Sequence, residues 1–99
     1  MPTTLARSNL DPKDAVAYND RGVAKHAKGD LDGAIADCTR AIELNPKYAN
    51  AYNNRGSFKG IKGDVVGAIA DVNRAIELDP KLAAAYYNRA LHKAGQRRH

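Results

Sequence analysis

The chain has 99 residues, of which 43% are hydrophobic and 27% are charged, and its formal net charge at neutral pH is +5. This length and apolar content fit one folded domain and exclude an intrinsically disordered chain. The positive charge alone would suit nucleic acid, but charges of both signs are mixed through the sequence, which favours an ordinary solvated surface and argues against a nucleic-acid partner.

Targeting signals and cross-links are missing from the sequence pattern. The first ten residues lack the apolar core of a signal peptide, and no apolar run is long enough to span a membrane. Cys38 is the single cysteine, so no disulfide can form within the chain. We therefore expect a cytoplasmic protein without membrane contact.

The dominant feature of the sequence is an internal repeat. Residues 15–48 and 49–82 are identical at 22 of 34 positions, and residues 83–99 begin a third copy. Pro46 and Pro80 are separated by the length of one repeat. A fixed period in this range is typical of solenoid proteins, in which each repeat packs against its neighbours.

In chain order, the pattern predicts a flexible arm over residues 1–11, then five helices and no strand. The helices are predicted at about 14–28, 31–44, 49–62, 65–78 and 82–96. Gly29 is predicted to cap the end of the first helix and Asp30 the start of the second. Pro46 ends the second helix because the residue before a proline is biased away from helical geometry.

The repeated positions resemble the tetratricopeptide repeat family, whose unit is a pair of antiparallel helices with small residues where they cross. In the first unit the matching residues are Tyr18, Gly22, Ala34, Ala41 and Pro46. In the second they are Tyr52, Gly56, Ala68, Ala75 and Pro80, and in the partial third they are Tyr86 and Ala90. The resemblance implies an all-α solenoid over residues 12–99, made of two full units (15–48 and 49–82) and a partial unit (83–99) whose fifth helix caps the array.

Charged residues occupy several positions that are apolar in that family. They are Arg21, Lys25, Arg55 and Lys59. We expect their aliphatic stems to pack while their charged ends reach water. Asp37 precedes Arg55 by the same interval that separates Asp71 from Arg89. Because the second helix of one unit abuts the first helix of the next in a stacked array, this spacing predicts ion pairs between repeats, Asp37–Arg55 and Asp71–Arg89.

In this family the first helices line a concave groove, so the resemblance implies a peptide-binding face on them. By position within the unit, this face contains Asn19, Val23, His26, Asn50, Asn53, Asn54, Ser57, Tyr87, Asn88 and Leu91. Asparagine is a mediocre helix former, so its clustering on one face favours binding over plain solvation. We expect Asn54→Ala and Asn88→Ala to weaken peptide binding without lowering the melting temperature.

One subtype of the family holds the C-terminal carboxylate of chaperones with a clamp of lysine, asparagine and arginine side chains. The clamp would use positions 19, 23, 54, 84 and 88 here, and only Asn54 has the required type. The resemblance therefore implies a groove of another kind, closer to the asparagine ladder of some superhelical members.

No pattern in the sequence indicates catalysis, a cofactor or a metal site. The histidines are dispersed, the cysteine lies on a predicted core face, and no phosphate-binding loop occurs. We therefore predict a non-enzymatic scaffold that binds an extended peptide of a partner protein. The alternative is a self-associating module, or part of a longer array, whose exposed end helices mediate oligomerisation. A weak homodimer through the C-terminal helix belongs to this alternative.

Overall fold

The computed structural model describes residues 13–97, and side chains within residues 13–95. Five helices follow one another in this range: α1 (Ala15–Ala27), α2 (Leu31–Leu44), α3 (Ala49–Lys62), α4 (Val65–Leu78) and α5 (Ala83–Arg97). The all-α prediction is confirmed, and each predicted helix lies within about two residues of an observed one. The arm predicted for residues 1–11 lies outside the described residues.

Aspartates begin three of the helices. The side chain of Asp14 accepts a hydrogen bond from the backbone N–H of Ala17 at 3.0 Å, at the start of α1. Asp30 and Asp64 do the same for α2 and α4, with distances of 2.8 and 2.9 Å. Each carboxylate satisfies a backbone donor that has no partner inside the helix. The predicted cap at Asp30 is confirmed.

Tight turns inside each unit depend on glycine. Gly29 and Gly63 have φ values of +89° and +104°, which other residues rarely adopt. In α1 the capping residue itself is Lys28, and Gly29 follows it. The prediction of Gly29 as the cap is therefore wrong by one position, because the left-handed residue stands just beyond the last helical turn.

The two helices of each unit cross at a glycine. A β-carbon at Gly22 would lie 3.0 Å from the carbonyl oxygen of Ala34. One at Gly56 would lie 2.9 Å from Cγ1 of Val72 and 3.0 Å from the carbonyl oxygen of Ala68. The small residues predicted at the helix crossing therefore stand where the backbones come closest.

Small side chains fill most of the core. Ala34, Cys38 and Phe58 form one buried cluster, with Leu31 and Ile35 packed against it. A second buried cluster contains Ala41, Ile42 and Ala51, and Tyr18, Tyr48 and Tyr52 pack around it. Both clusters join residues of different units, so burial links the repeats into one body.

The buried ion pairs of Asp37 and Asp71 run within units, and the predicted pairs Asp37–Arg55 and Asp71–Arg89 are wrong. At the surface, Lys62 of the second unit pairs with Asp32 of the first. Arg21 donates two hydrogen bonds to Asp37 at 2.8 and 2.9 Å, and Arg55 donates two to Asp71, both at 2.8 Å. The antiparallel hairpin brings these positions face to face across the glycine crossing, and so each arginine meets the aspartate of its own unit.

Each of these carboxylates has a second cation beside it. Lys25 Nζ lies 3.2 Å from Asp37 Oδ2, and Lys59 Nζ lies 3.2 Å from Asp71 Oδ2. The charged ends of these lysines thus contact buried aspartates, whereas we expected them to reach water. Burial alone would raise the pKa of Asp37, but hydrogen bonds from Arg21 and Lys25 outweigh it and hold that pKa below its ordinary value.

The array curves so that the first helices of the units lie on the inside. α1 contacts α3, and α3 contacts α5, whereas α2 and α4 make no contact with each other along their described lengths. The body measures 46 × 27 × 19 Å. The inner side of α1, α3 and α5, called the concave face below, runs along all three units.

Candidate functional site

The concave face carries exposed apolar side chains on its outer two helices. Val23 on α1 is 43% exposed, and Leu91 on α5 is 50% exposed. Ser57, which stands between them on α3 at the equivalent position, is half-buried. At the start of the same helices Val16, Asn50 and Ala84 are exposed. A ligand lying across α1, α3 and α5 would therefore meet two apolar contacts with a small polar residue between them.

Asparagines connect the first helices through two hydrogen bonds between units. Asn54 Nδ2 donates to Asn19 Oδ1 at 3.0 Å, and Asn88 Nδ2 donates to Asn53 Oδ1 at 2.9 Å. The accepting residues, Asn19 and Asn53, are only 5% and 6% exposed. Four of the five predicted groove asparagines therefore divide into two buried acceptors and two half-buried donors, and the fifth, Asn50, is exposed.

The buried Asn19 side chain has further partners. Its Nδ2 donates to the hydroxyl of Tyr48 at 3.3 Å, and its Oδ1 accepts a weak bond from the thiol of Cys38 at 3.8 Å. These contacts use the amide of Asn19 within the protein. The same Oδ1 also accepts the hydrogen bond from Asn54 of the next unit.

Asn54 and Asn88 retain hydrogen-bonding capacity on the concave side of the array. Each uses one amide hydrogen to reach the preceding unit, and neither carbonyl oxygen accepts a hydrogen bond from any residue in the described range 13–97. Because the shared bond fixes the amide plane, the remaining donor and acceptor are held in place before a ligand arrives.

Aromatic rings fill the spaces between neighbouring first helices. The ring of His26 lies 4.8 Å from that of Phe58, with an angle of 32° between the planes. One unit later, His92 packs on Gly60, where an added β-carbon would lie 2.2 Å from Cε1 of the imidazole. Predicted site residue His26 is thus half-buried against α3.

His92 was not predicted to pack between the first helices, although its register gave a signal. It stands one full repeat after Phe58, just as Gly60 stands one full repeat after His26. Its Nε2 is buried and has no hydrogen-bond partner among the described residues. Burial lowers the pKa of His92.

Tyr87 lies at the open end of the face. It occupies the position of Asn19 and Asn53 in the earlier units, yet it is 66% exposed. Those asparagines are covered by the next unit, and no described helix follows α5. Tyr87 is therefore an exposed aromatic one helical turn before Leu91 on the last described helix.

The described residues hold no group of three or more side chains that would suit a metal ion. No helix within residues 13–97 is both long and apolar enough to cross a membrane. Cys38 is fully buried, and burial raises the pKa of its thiol to about 12. Since thiolate is the reactive form, Cys38 is a packing residue.

Comparison with known families identifies the architecture. One tetratricopeptide repeat family profile matches residues 15–48, and a second profile of the same description matches residues 38–70. The chain belongs to the tetratricopeptide repeat family. The family is a protein-interaction fold, and the matched residues include both helix crossings of this chain. No curated protein sequence matches the chain.

Solved tetratricopeptide repeat structures share this fold. The first repeat domain of Spaghetti (RPAP3), bound to the HSP90 peptide SRMEEVD, is 27% identical with a TM-score of 0.83, over 87% of this chain and 68% of that one. MamA is 32% identical with a TM-score of 0.82, over 88% and 48%. The TPR2B domain of yeast Sti1, in complex with pHsp70, is 31% identical with a TM-score of 0.80, over 82% and 65%. The chain therefore spans about half to two thirds of the length of these three.

Proposed function

We propose that this tetratricopeptide repeat chain is a non-enzymatic scaffold that binds an extended peptide of a partner protein along its concave face. The observation that carries the proposal is the row formed by Val23, Ser57 and Leu91 on three successive first helices, whose two apolar members, on α1 and α5, are about half exposed. Exposed apolar side chains in register across a curved surface are typical of a ligand groove.

Asparagine side chains in fixed orientations beside this row favour a peptide ligand in an extended conformation. Asn54 and Asn88 each keep one donor and one acceptor available, and their amide planes are fixed by the bonds to the preceding unit. A donor and an acceptor on one side chain match the two hydrogen-bonding groups of a peptide unit. Asn19 and Asn53 act in this proposal as positioning residues.

The ligand is expected to be neutral, with apolar side chains. The relatives bound to HSP90 and pHsp70 peptides support a peptide as ligand. Where the family resemblance would place the basic clamp residues, this chain has Asn19, Ala84 and Asn88. Without those cations, an acidic C-terminus gains no charge-assisted hydrogen bonds here.

Affinity is expected to be roughly micromolar, because so short a groove gives a small interface and an extended ligand must be ordered on binding. We further propose that the protein acts in the cytoplasm without cofactor or metal, and that its repeat domain covers residues 12–99.

Selection from a random-peptide library displayed on phage tests the proposal. The full chain should enrich peptides with apolar side chains, and the double variant Val23→Ser/Leu91→Ser should lose them. Both substitutions copy the serine that already stands at position 57, so the fold should be retained. Enrichment of the same peptides by both proteins would refute the assignment to this face.

Self-association is a second candidate, favoured by the exposure of Tyr86 and Tyr87 on α5, at 41% and 66%. Apolar surface at the end of a repeat array is available for contact with another copy. Sedimentation velocity of the full chain over a range of concentrations tests it: a concentration-dependent dimer supports this candidate, and a monomer throughout refutes it.

A further inference from the structure

α5 has a second surface, separate from the concave face, that corresponds to the hairpin surface of the other units. It consists of Tyr86, Arg89, Ala90 and Lys93, called the α5 receptor face below. These residues stand one full repeat after Tyr52, Arg55, Gly56 and Lys59. Tyr86, Ala90 and Lys93 are exposed, and no described helix covers them. In the first two units the same surface receives the second helix.

The first two units show what this kind of surface binds. It holds a helix with an alanine at the crossing and an aspartate three residues later, Ala34 and Asp37 in one unit and Ala68 and Asp71 in the other. The aspartate accepts two hydrogen bonds from arginine and lies 3.2 Å from lysine. The surface therefore combines close helix packing with a binding site for one carboxylate.

Arg89 on α5 already has the side-chain position that Arg55 has on α3. Its guanidinium lies 5.3 Å from the centre of the Tyr86 ring, and Arg55 lies 5.6 Å from the Tyr52 ring. One terminal nitrogen of Arg89 donates to Asn73 at 3.0 Å, as Arg55 donates to the equivalent Thr39 at 3.2 Å. Within residues 13–97, the element missing from this arrangement is the carboxylate.

We propose that the α5 receptor face binds an amphipathic helix of a partner protein that carries the pattern Ala-x-x-Asp followed by a small residue. Charge complementarity identifies the occupant, since Arg89 and Lys93 repeat the cation pair that surrounds Asp71. A bidentate arginine–carboxylate pair that is shielded by packing is stronger and more specific than a surface pair.

The requirement for a small residue after the aspartate follows from Ala90. At the glycine it replaces, a β-carbon would lie 2.9 Å from Cγ1 of Val72, the residue after Asp71. In the first unit the corresponding contact, to Sγ of Cys38, would be 3.3 Å. The same β-carbon would also lie 3.0 Å from the carbonyl oxygen of the crossing alanine, so a helix bound at Ala90 must lie a few tenths of an ångström further away than α4 lies from Gly56. At that distance alanine, serine or cysteine fits after the aspartate, and a branched residue would still contact the Ala90 methyl too closely.

An intact second copy of this chain lacks a free helix of this kind. In its sequence, only α2 carries Ala-x-x-Asp followed by a small residue, and there Asp37 is 5% exposed and already paired. The other Ala-x-x-Asp segments end at Asp20, Asp30 and Asp71, which arginine, leucine and valine follow. A homodimer through Tyr86 and Ala90 would cover apolar area without offering Arg89 the carboxylate of Asp37 or Asp71, both of which are buried. The paired charges thus favour a different protein as the occupant.

A labelled peptide copying residues 29–46 is the direct probe, with Cys38→Ala to prevent oxidation. Fluorescence anisotropy with the full chain should show saturable binding. Asp37→Asn in the peptide and Arg89→Gln in the protein should each weaken it about tenfold or more, and the two changes together should cost little more than either alone. Leu91→Ser, on the concave face, should leave it unchanged.

Several results would overturn the proposal. One is the absence of binding up to about 1 mM peptide, and another is equal binding of the Asp37→Asn peptide. A third is peptide binding that the Arg89→Gln substitution does not weaken, which would indicate that the peptide replaces α2 in the fold. A stable dimer of the full chain that blocks the peptide would assign the face to a second copy. Circular dichroism of Arg89→Gln serves as the folding control, since the α5 receptor face lies outside the core.

Discussion

Arg55 donates two hydrogen bonds to Asp71, both at 2.8 Å, and so joins α3 to α4 within the second unit. The Asp71 side chain is only 7% exposed, and that of Arg55 is 17% exposed. A buried carboxylate with two cationic partners is costly to disturb because each remaining charge loses its partner away from water.

Asp71→Asn should lower the free energy of unfolding by about 1.5–3 kcal/mol, since it leaves Arg55 and Lys59 without the anion that balances them. Urea denaturation measures this. Glu77→Gln is the matched control on the same helix, because Glu77 is paired with Arg74 at the surface and is 66% exposed. That control should leave the unfolding curve unchanged. Equal effects of the two substitutions would contradict the assigned role of the buried pair.

The glycine at each helix crossing should be intolerant of even one methyl group. Gly56→Ala places a β-carbon 2.9 Å from Val72 and 3.0 Å from the backbone of Ala68, and the strain should cost about 1–3 kcal/mol. Gly95→Ala is the control, since that β-carbon meets nothing within 4 Å, and it should be neutral or stabilising by up to about 1 kcal/mol. Thermal melts that rank the two variants in the opposite order would show that the crossing is not closely packed.

The hydrogen bonds between asparagines should contribute to stability. Asn88→Ala removes the donor to Asn53 and leaves a buried carbonyl oxygen without a partner, which should cost about 1–3 kcal/mol. Asn50→Ala changes an exposed asparagine on α3 and should have little effect. Chemical denaturation of both variants checks this. Unaltered stability of Asn88→Ala would agree with the expectation from sequence and contradict the role in repeat stacking.

Acid should weaken the contact between α3 and α5 through His92. Burial holds its pKa below the ordinary value of 6.5, so above that pH the imidazole is neutral in both the folded and the unfolded chain. As the pH falls below 6.5, the unfolded chain binds a proton that the folded chain does not, and the free energy of unfolding decreases. Plots of the free energy of unfolding against pH for the wild type and His92→Phe should therefore diverge below this pH, because the variant loses less stability in acid. Parallel curves would exclude His92 as the cause.

The sequence predicted the helices and their crossings because both follow from local patterns. Period and capping residues determine where α2 and α4 begin and end, and the repeat aligns Gly22 with Gly56. The partner of Asp37 was not predictable in this way. Its helix faces both α1 and α3, so Arg21 and Arg55 both suit its spacing, and only the crossing geometry decides that Arg21 is the partner.

The repeat register fixes which positions of the candidate site correspond, and it does not reveal how exposed each one is. Val23, Ser57 and Leu91 share a register, yet Val23 and Leu91 are exposed and Ser57 is half-buried. Asn19 and Asn53 have similar sequence contexts to Asn54, yet the following unit buries them. The burial of a side chain in a repeat array depends on the neighbouring unit, so the sequence of a single helix does not reveal it.

Titration calorimetry with a library-selected peptide is the most direct test of peptide binding at the concave face. It compares the wild type with Val23→Ser/Leu91→Ser and with Arg40→Ala/Arg74→Ala, which alters exposed residues of α2 and α4. We expect the first double variant to lose about tenfold or more in affinity and the second to bind as the wild type does. Unchanged affinity in the first and loss of binding in the second would place the ligand on the outer helices and contradict this account.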